Sequence, residues 1–332
     1  MTLPITKGGS GMLYINDRKI RAIGMDWQAL AEMADSTVHI VDSGDFAQPV
    51  KPYLRYNNLK NRIIAMPAYV GGDVNAAGIK WISSFPDNIR IGLPRAHSVI
   101  VLNDPDTGRP SAILNSPLPS IVRTASVSGL MIRHFLQARS LERFHLGIIG
   151  WGPVGQYHAQ MAESLYGDKI ERIRVYDIRG VDLSGIASPY RDRITVEKTW
   201  EDVYRPSDIL ITCTVSENRY IDSPPGKGSL LLNVSLRDYK PEALASVKTV
   251  IVDDWDEVCR ENTDIERLHL ERGLARRDVQ TLADVVCRDS LAEIADDETV
   301  FFCPMGMSVF DIATAVYYMK LAEERGLGVE LD

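Results

Sequence analysis

Apolar and polar positions alternate in two different ways along the chain. In its first third the pattern is mostly that of strands. Leu13 to Ile15 reads as a short strand, and Asp26 can cap a helix with Trp27, Leu30, Ala31, Ala34, Val38 and Val41 on one face and Gly44 as its stop. Gln48 to Tyr56 is held extended by its prolines. Arg62 to Met66 and Gly78 to Ile82 are strand-like, and Val99 to Leu102 returns through the turn Asp104 to Gly108 into Ser111 to Leu114 as a hairpin. From His145 onward, short apolar runs alternate with helical stretches: Leu146 to Ile149, Ile170 to Val175, Ile209 to Val215, Ser229 to Val234, Thr249 to Val252 and Val300 to Cys303. Strands alternating with helices imply a doubly wound parallel sheet, whose ligands sit at the carboxyl ends of the strands.

Helix starts are legible as capping residues. Ser120 can cap the helix leading into this region, which puts Arg123 in its first turn. A cation there opposes the helix dipole, so it is either tolerated or has an anion to serve. Thr199 with Asp202 forms a capping box, as does Ser308 with Asp311 ahead of the apolar face Val309, Ile312, Ala313, Val316 and Leu321, stopped by Gly326.

The strongest chemical signal lies after the run Leu146 to Ile149. Gly150, Gly152 and Gly155 follow in GxGxxG spacing: the first for a tight turn, the second for close approach of a pyrophosphate, the third for helix-to-sheet packing. Trp151, Pro153 and Val154 complete that turn, with Trp151 reading as a lid on the pyrophosphate side and the helix from about Val154 offering its N-terminal amides to the anion. Asp177 closes the next strand about 20 residues past the last glycine, where a carboxylate can bind a ribose 2'-hydroxyl. It would repel a 2'-phosphate, so NAD is expected over NADP, with Arg179 as the residue that argues the other way. Thr214, Asn233 to Ser235 and Asp238 follow strands and are expected near the cofactor.

Composition narrows the rest. A formal net charge of −8 argues against a general nucleic-acid surface. No apolar run reaches the 18 or so residues of a membrane span, and Met1 to Ser10 lacks the features of a signal peptide, so a cytoplasmic location is expected. Cys213, Cys259, Cys287 and Cys303 are scattered and the six histidines form no ligand pattern, so neither a metal nor a disulfide is expected. Against the acidic total, the first third carries Lys51, Arg55, Lys80, Arg95 and Arg123. Scattered, they are surface charges; converged, they form a pocket for an acid with several carboxylates. Lys80, flanked by Ile79, Trp81 and Ile82, is open to either reading on its own run.

Several segments together resemble the ornithine cyclodeaminase/mu-crystallin family: Arg55 upstream of Met66 and Pro67, Gly78 with Lys80, RTASVS at Arg123 to Ser128, GxGxxG, Asn233 followed by Asp238, and PMGM with Asp311. QPVKPYLR, NRIIAMP, GIKWI, LNDPDTG, ITCTV and VDDW look most like the branch that oxidises N-(2-amino-2-carboxyethyl)-L-glutamate with NAD in making 2,3-diaminopropionate for siderophores, beside a pyridoxal-phosphate-dependent synthase. The resemblance implies an α/β fold. A Rossmann domain at 123 to 304 would bind NAD, and a discontinuous α+β domain, 1 to 122 completed by 305 to 332, would bind substrate and form a homodimer. It also implies Lys80 and Asp238 as catalytic, Lys51, Arg55, Arg95 and Arg123 as substrate-binding, and Thr214, Ser235 and Gly306 beside the glycine turn and Asp177 as cofactor-binding. The run Ser235, Leu236 and Arg237 departs from the cyclodeaminase pattern and counts against ornithine cyclisation. Within the same resemblance, alternatives are an ornithine cyclodeaminase, an alanine dehydrogenase or ketimine reductase, or a non-enzymatic NADH-binding module.

Overall fold

A computed structural model describes residues 11–186 and 190–332. The expectation for Met1 to Ser10 lies outside the described residues. The chain divides into two compact units, Met1–Arg123 with Met307–Asp332, and Thr124–Gly306.

The first unit is an eight-stranded mixed sheet. Its strands run in the order Val329–Leu331, Met12–Asn16, Pro110–Asn115, Ala96–Asn103, Ala76–Ser84, Arg62–Val70 and Phe46–Ala47, with Tyr53–Leu54 also pairing onto Arg62–Val70. Every pairing is antiparallel except that of Met12–Asn16 with Pro110–Asn115. Asp26 caps the helix Trp27–Ser43 by accepting from the Ala29 amide at 3.0 Å, and Gly44 ends it in the left-handed conformation that glycine adopts without penalty. The helix Ser308–Glu324 packs on the central strands and on Trp27–Ser43, and most of its circumference is buried. A helix that is apolar all round needs such a setting.

Two helix starts differ from expectation. The helix with Arg123 begins at Leu118, where Ser116 Oγ accepts from the Leu118 amide at 3.0 Å; Ser120 lies inside it and does not cap it. The Ser308 and Asp311 box is likewise absent. Met307 occupies the cap position with no side-chain bond, and Asp311 is turned to other work. Ser120 and Ser308 could both serve as caps by their place in the sequence, but the cap positions fall on other residues.

The second unit is an eight-stranded sheet, parallel throughout. Its order is Ile194–Val196, Ile170–Tyr176, Phe144–Ile149, Ile209–Thr212, Leu230–Asn233, Val300–Cys303, Thr249–Val252 and Gln280–Thr281. From Phe144–Ile149 the chain first builds outward on one side and then returns to the other. The strand order therefore reverses between Phe144–Ile149 and Ile209–Thr212, the place where doubly wound sheets bind ligands. The strands Ile209–Thr212, Leu230–Asn233, Thr249–Val252 and Val300–Cys303 are buried at every position, which is why they read as unbroken apolar runs. Among the described residues, no helix is long and apolar enough to cross a membrane.

Candidate active site

In the first unit the sheet register turns Lys80 inward. Across the strand pairs it lies opposite Met66 on one side and Ile100 on the other, and both are buried. Directly opposed residues share a face of the sheet, so Lys80 is carried into the core at 1% exposure while its neighbour Trp81 faces out at 45%. Two polar groups meet the ammonium there. Its Nζ lies 2.7 Å from Asp311 Oδ2 and donates to Ser120 Oγ at 3.0 Å, while Arg123 Nε donates to Asp311 Oδ1 at 2.8 Å. Asp311 is thus a buried counter-ion shared by two cations. Burial pushes the Lys80 ammonium down to about 7; Asp311 opposes that push, whereas the charges of Arg123 and Lys51 add to it. Burial alone would raise the Asp311 carboxyl, but Arg123 and Lys80 outweigh it and hold the group below the usual carboxylate range.

Of the five cations read from the sequence, Lys51, Lys80 and Arg123 are therefore brought together, all three buried. Arg55 is stacked over the Tyr53 ring at 4.9 Å, a ring it shares with Arg62 at 5.7 Å. Arg95 is half-buried ahead of Ala96–Asn103, and its carbonyl accepts from the Phe85 amide.

In the second unit each glycine of the turn has a distinct reason to be glycine. Gly150 has φ +100, and a Cβ there would stand 2.6 Å from the Cys213 backbone on the adjoining strand end. At Gly155 a Cβ would be 2.0 Å from the Gly150 carbonyl oxygen. At Gly152, by contrast, a Cβ would meet no protein atom within 4 Å. Packing within the chain does not explain that third position, whereas close approach of a phosphate does. Pro153 opens the helix Pro153–Tyr166, where its missing N–H costs nothing, and Val154 follows it; the helix has no side-chain cap over its first amides. The residues present fit a dinucleotide.

Asp177 stands at the end of Ile170–Tyr176, and its carboxylate is engaged within the chain: Oδ2 accepts from the Trp151 amide and Oδ1 from the Arg179 amide, each at 2.8 Å. The Arg179 guanidinium lies 3.5 Å away. Asp177 therefore closes the glycine turn. Trp151 corrects the lid reading. Its indole is buried and donates from Nε1 to the Asp182 carbonyl at 3.0 Å, which fastens the glycine turn to the segment after Asp177.

Asp238 is fully buried, with the Thr214 hydroxyl donating to one carboxylate oxygen and the Ser235 hydroxyl to the other. Both hydroxyls come from the ends of adjacent parallel strands. Asp253 accepts from the amides of Met305 and Gly306 at 2.9 and 2.6 Å, which fixes the PMGM turn at Gly306. The residues missed by sequence reasoning are Ser120, taken for a cap, and Asp311, noted as part of a motif but given no partner. A second buried acid, Asp264, has no sequence signal, because Asn-Thr-Asp-Ile-Glu-Arg reads as an exposed helix start. Among the described residues no cluster of His, Cys, Asp and Glu could hold a metal ion.

Comparison with known proteins matches residues 22–325 to the ornithine cyclodeaminase/mu-crystallin family. The N-((2S)-2-amino-2-carboxyethyl)-L-glutamate dehydrogenase of Staphylococcus aureus is 34% identical to this chain, covering 97% of it and 98% of that protein. The alanine dehydrogenase of Archaeoglobus fulgidus is 24% identical over 87% of this chain and 88% of its own length. Among solved structures, the Thermococcus litoralis Delta(1)-pyrroline-2-carboxylate reductase, in complex with NADH and L-proline, shares the fold with a TM-score of 0.84 at 22% identity, covering 96% of this chain and 100% of that one. With a family match running from residue 22 to residue 325, the chain belongs to the ornithine cyclodeaminase/mu-crystallin family.

Proposed function

We propose that the chain is an NAD-dependent oxidoreductase that cleaves N-((2S)-2-amino-2-carboxyethyl)-L-glutamate. One substrate, one NAD and one water would give 2-oxoglutarate, L-2,3-diaminopropionate, NADH and a proton. The observation that carries this reading is the buried pairing of Lys80 and Arg123 with Asp311, with buried Lys51 near enough for its charge to act on Lys80, which suits an acid with several carboxylates. The Staphylococcus aureus relative, 34% identical over almost the whole chain, points to the particular acid.

The turn Gly150 to Gly155 would hold NAD, which would supply the acceptor for a hydride from the glutamyl Cα of the substrate. The chain's own residues do the positioning and the proton transfers. Lys80 and Arg123 hold the α-carboxylate of the reacting end; Arg123 does so with guanidinium N–H groups other than the Nε bonded to Asp311. Arg55, Lys51 and Arg95 serve the remaining carboxylates. Once the amine carbon is oxidised to an imine, Asp238 draws a proton from the attacking water and returns it to the departing amine, with Thr214 and Ser235 fixing its carboxylate. Gly150 to Gly155, Asp177 and Gly306 form the cofactor side. The exposed Trp81, Ile89, Ile91 and Leu93 support a homodimer built on the first unit. A pyridoxal-phosphate-dependent synthase would supply the substrate in the cytoplasm, for siderophore biosynthesis.

The test is to mix the protein with NAD and synthetic N-((2S)-2-amino-2-carboxyethyl)-L-glutamate, follow NADH absorbance and identify 2-oxoglutarate. NADH and 2-oxoglutarate formed in equal amounts are expected. Turnover confined to ornithine, alanine or pyrroline-2-carboxylate would overturn the substrate, and tight NADH binding without turnover of any amine or imine would overturn the enzyme.

A further inference from the structure

Asp264 is the first residue of the helix Asp264–Arg272, capped by Thr263, a position that is ordinarily exposed. Here it is fully buried and its carboxylate accepts four hydrogen bonds. Oδ1 accepts from Arg219 Nε at 2.6 Å; Oδ2 accepts from Asn233 Nδ2 at 2.8 Å and from the backbone amides of Asp238 and Tyr239 at 3.0 and 3.1 Å. Oδ2 thus gathers three donors and Oδ1 one, and every one of these partners donates to the carboxylate. Burial pushes the group up to about 6, while the Tyr239 amide and Arg219 hold it down.

These bonds close a ring around Asp238. The Asp238 amide is held by Asp264, and the Asp238 carbonyl accepts from the amides of Tyr220 and Ile221 at 3.0 and 2.9 Å. Tyr220 is the neighbour of Arg219, whose guanidinium returns to Asp264 and also donates to the Asn262 carbonyl at 2.7 Å. The Asp264 amide in turn donates to the Leu236 carbonyl at 2.8 Å, and Leu236 has φ +70, a conformation a leucine seldom adopts. The Ser235 to Tyr239 loop is thus held in a costly shape by Asp264 from a distant helix, together with Asn233 Oδ1, which accepts from the Leu236 amide at 3.1 Å. Nothing in the packing of a helix start requires four donors from three other segments.

We propose that Asp264 is a positioning residue: with Arg219 it clamps the backbone on both sides of Asp238 and so fixes the direction in which that carboxylate meets the reacting carbon. The inference rests on the reading of Asp238 as the proton-transferring group. It assigns Asp264 no contact with substrate or cofactor. Loss of the clamp should lower kcat and leave binding alone, because a small misplacement of a reacting group costs rate.

The experiment compares Asp264→Asn, Arg219→Gln, Asp238→Asn and the Asp264→Asn/Asp238→Asn double variant as full-length protein. Two readouts are taken: NADH formation from N-((2S)-2-amino-2-carboxyethyl)-L-glutamate, and amide hydrogen exchange of residues 235–240. For Asp264→Asn we expect kcat lower by on the order of 100-fold, with KM and NADH affinity within about two-fold of wild type. The loss should vanish in the Asp238→Asn background, since both changes remove one function, and the Asp238 and Tyr239 amides should exchange faster. Arg219→Gln should show the same pattern more weakly, and it decides the matter if Asp264→Asn does not fold. Unchanged exchange, a kcat near wild type, or a loss that simply multiplies with that of Asp238→Asn would each overturn the proposal. Near-normal turnover in Asp238→Asn alone would instead remove the assignment of the base. The exchange arm needs no substrate and judges the clamp even if the wild-type chain turns over nothing.

Discussion

A carboxylate shared by two buried cations compensates the charge of both, and Asp311 holds that place between Lys80 and Arg123. Removing its charge takes away the influence that raises the Lys80 pKa, so that pKa should fall further below about 7. If protonated Lys80 grips the substrate carboxylate, kcat/KM of the wild type declines as pH rises through about 7, and in Asp311→Asn the decline should begin at lower pH. A kcat/KM profile from pH 5.5 to 9, roughly the span a neutral-range group needs, checks this; coincident profiles would separate Asp311 from Lys80. Asp177 leads to a different prediction. Because its carboxylate also holds the Trp151 and Arg179 amides, Asp177→Ala should weaken both dinucleotides somewhat, but NAD much more than NADP, with Arg179 freed for a 2'-phosphate. Fluorescence titration with NADH and NADPH measures the ratio, and equal losses would mean the carboxylate serves only the turn.

At the scale of elements, Gly78 shows what holds the lysine-bearing strand in place. A Cβ there would lie 2.5 Å from the Val101 carbonyl oxygen and 3.0 Å from Ile312 Cδ1. Gly78→Ala should therefore push strand, neighbouring strand and helix apart and cost about 1–3 kcal/mol, the range for overpacking; thermal unfolding reads it as a lower Tm. Elements of this kind show how far the sequence could be read. The parallel strands were plain because burial on both faces demands unbroken apolar runs, and the glycine turn was plain because backbone geometry demands glycine. Lys80 was ambiguous because alternation along one strand cannot say which face is the core; only the pairing with Met66 and Ile100 does so. Asp311 and Asp264 were missed for a related reason. Both sit in the first turn of a helix, where an acid is favoured by the dipole whatever else it does, so the local signal was already accounted for. Their partners, Lys80, Arg123, Arg219 and Asn233, are remote in sequence.

The whole molecule carries a net charge of −8 and yet buries cations in its first unit, which ties stability to pH in a particular direction. Lys80 titrates at 10.5 when exposed and at about 7 in the fold. Between those values the unfolded chain holds a proton that the folded chain has released, so this residue adds stability as pH rises from 7 to 10.5. Unfolding free energies of the wild type should therefore gain on those of Lys80→Met across that window, and parallel curves would show that the ammonium stays charged in the fold.

The first unit is also built from both ends of the chain: Met307–Asp332 supplies its buried helix, its edge strand Val329–Leu331 and the Asp311 counter-ion. A ribosome releases Lys80 and Arg123 long before it releases Asp311, and during that interval both cations must stay hydrated, because an uncompensated buried charge is strongly unfavourable. The second unit waits for no such late arrival. Its strands are contiguous within Thr124–Gly306 and can pair while the tail is still being made. In ribosome-bound nascent chains arrested after Gly306 has emerged, Phe144–Ile149 and Ile209–Thr212 should already resist proteolysis while Ala76–Ser84 does not; equal resistance would mean the first unit does not wait for Met307–Asp332. The order of synthesis would then make the dinucleotide fold the first to mature and the lysine pocket the last.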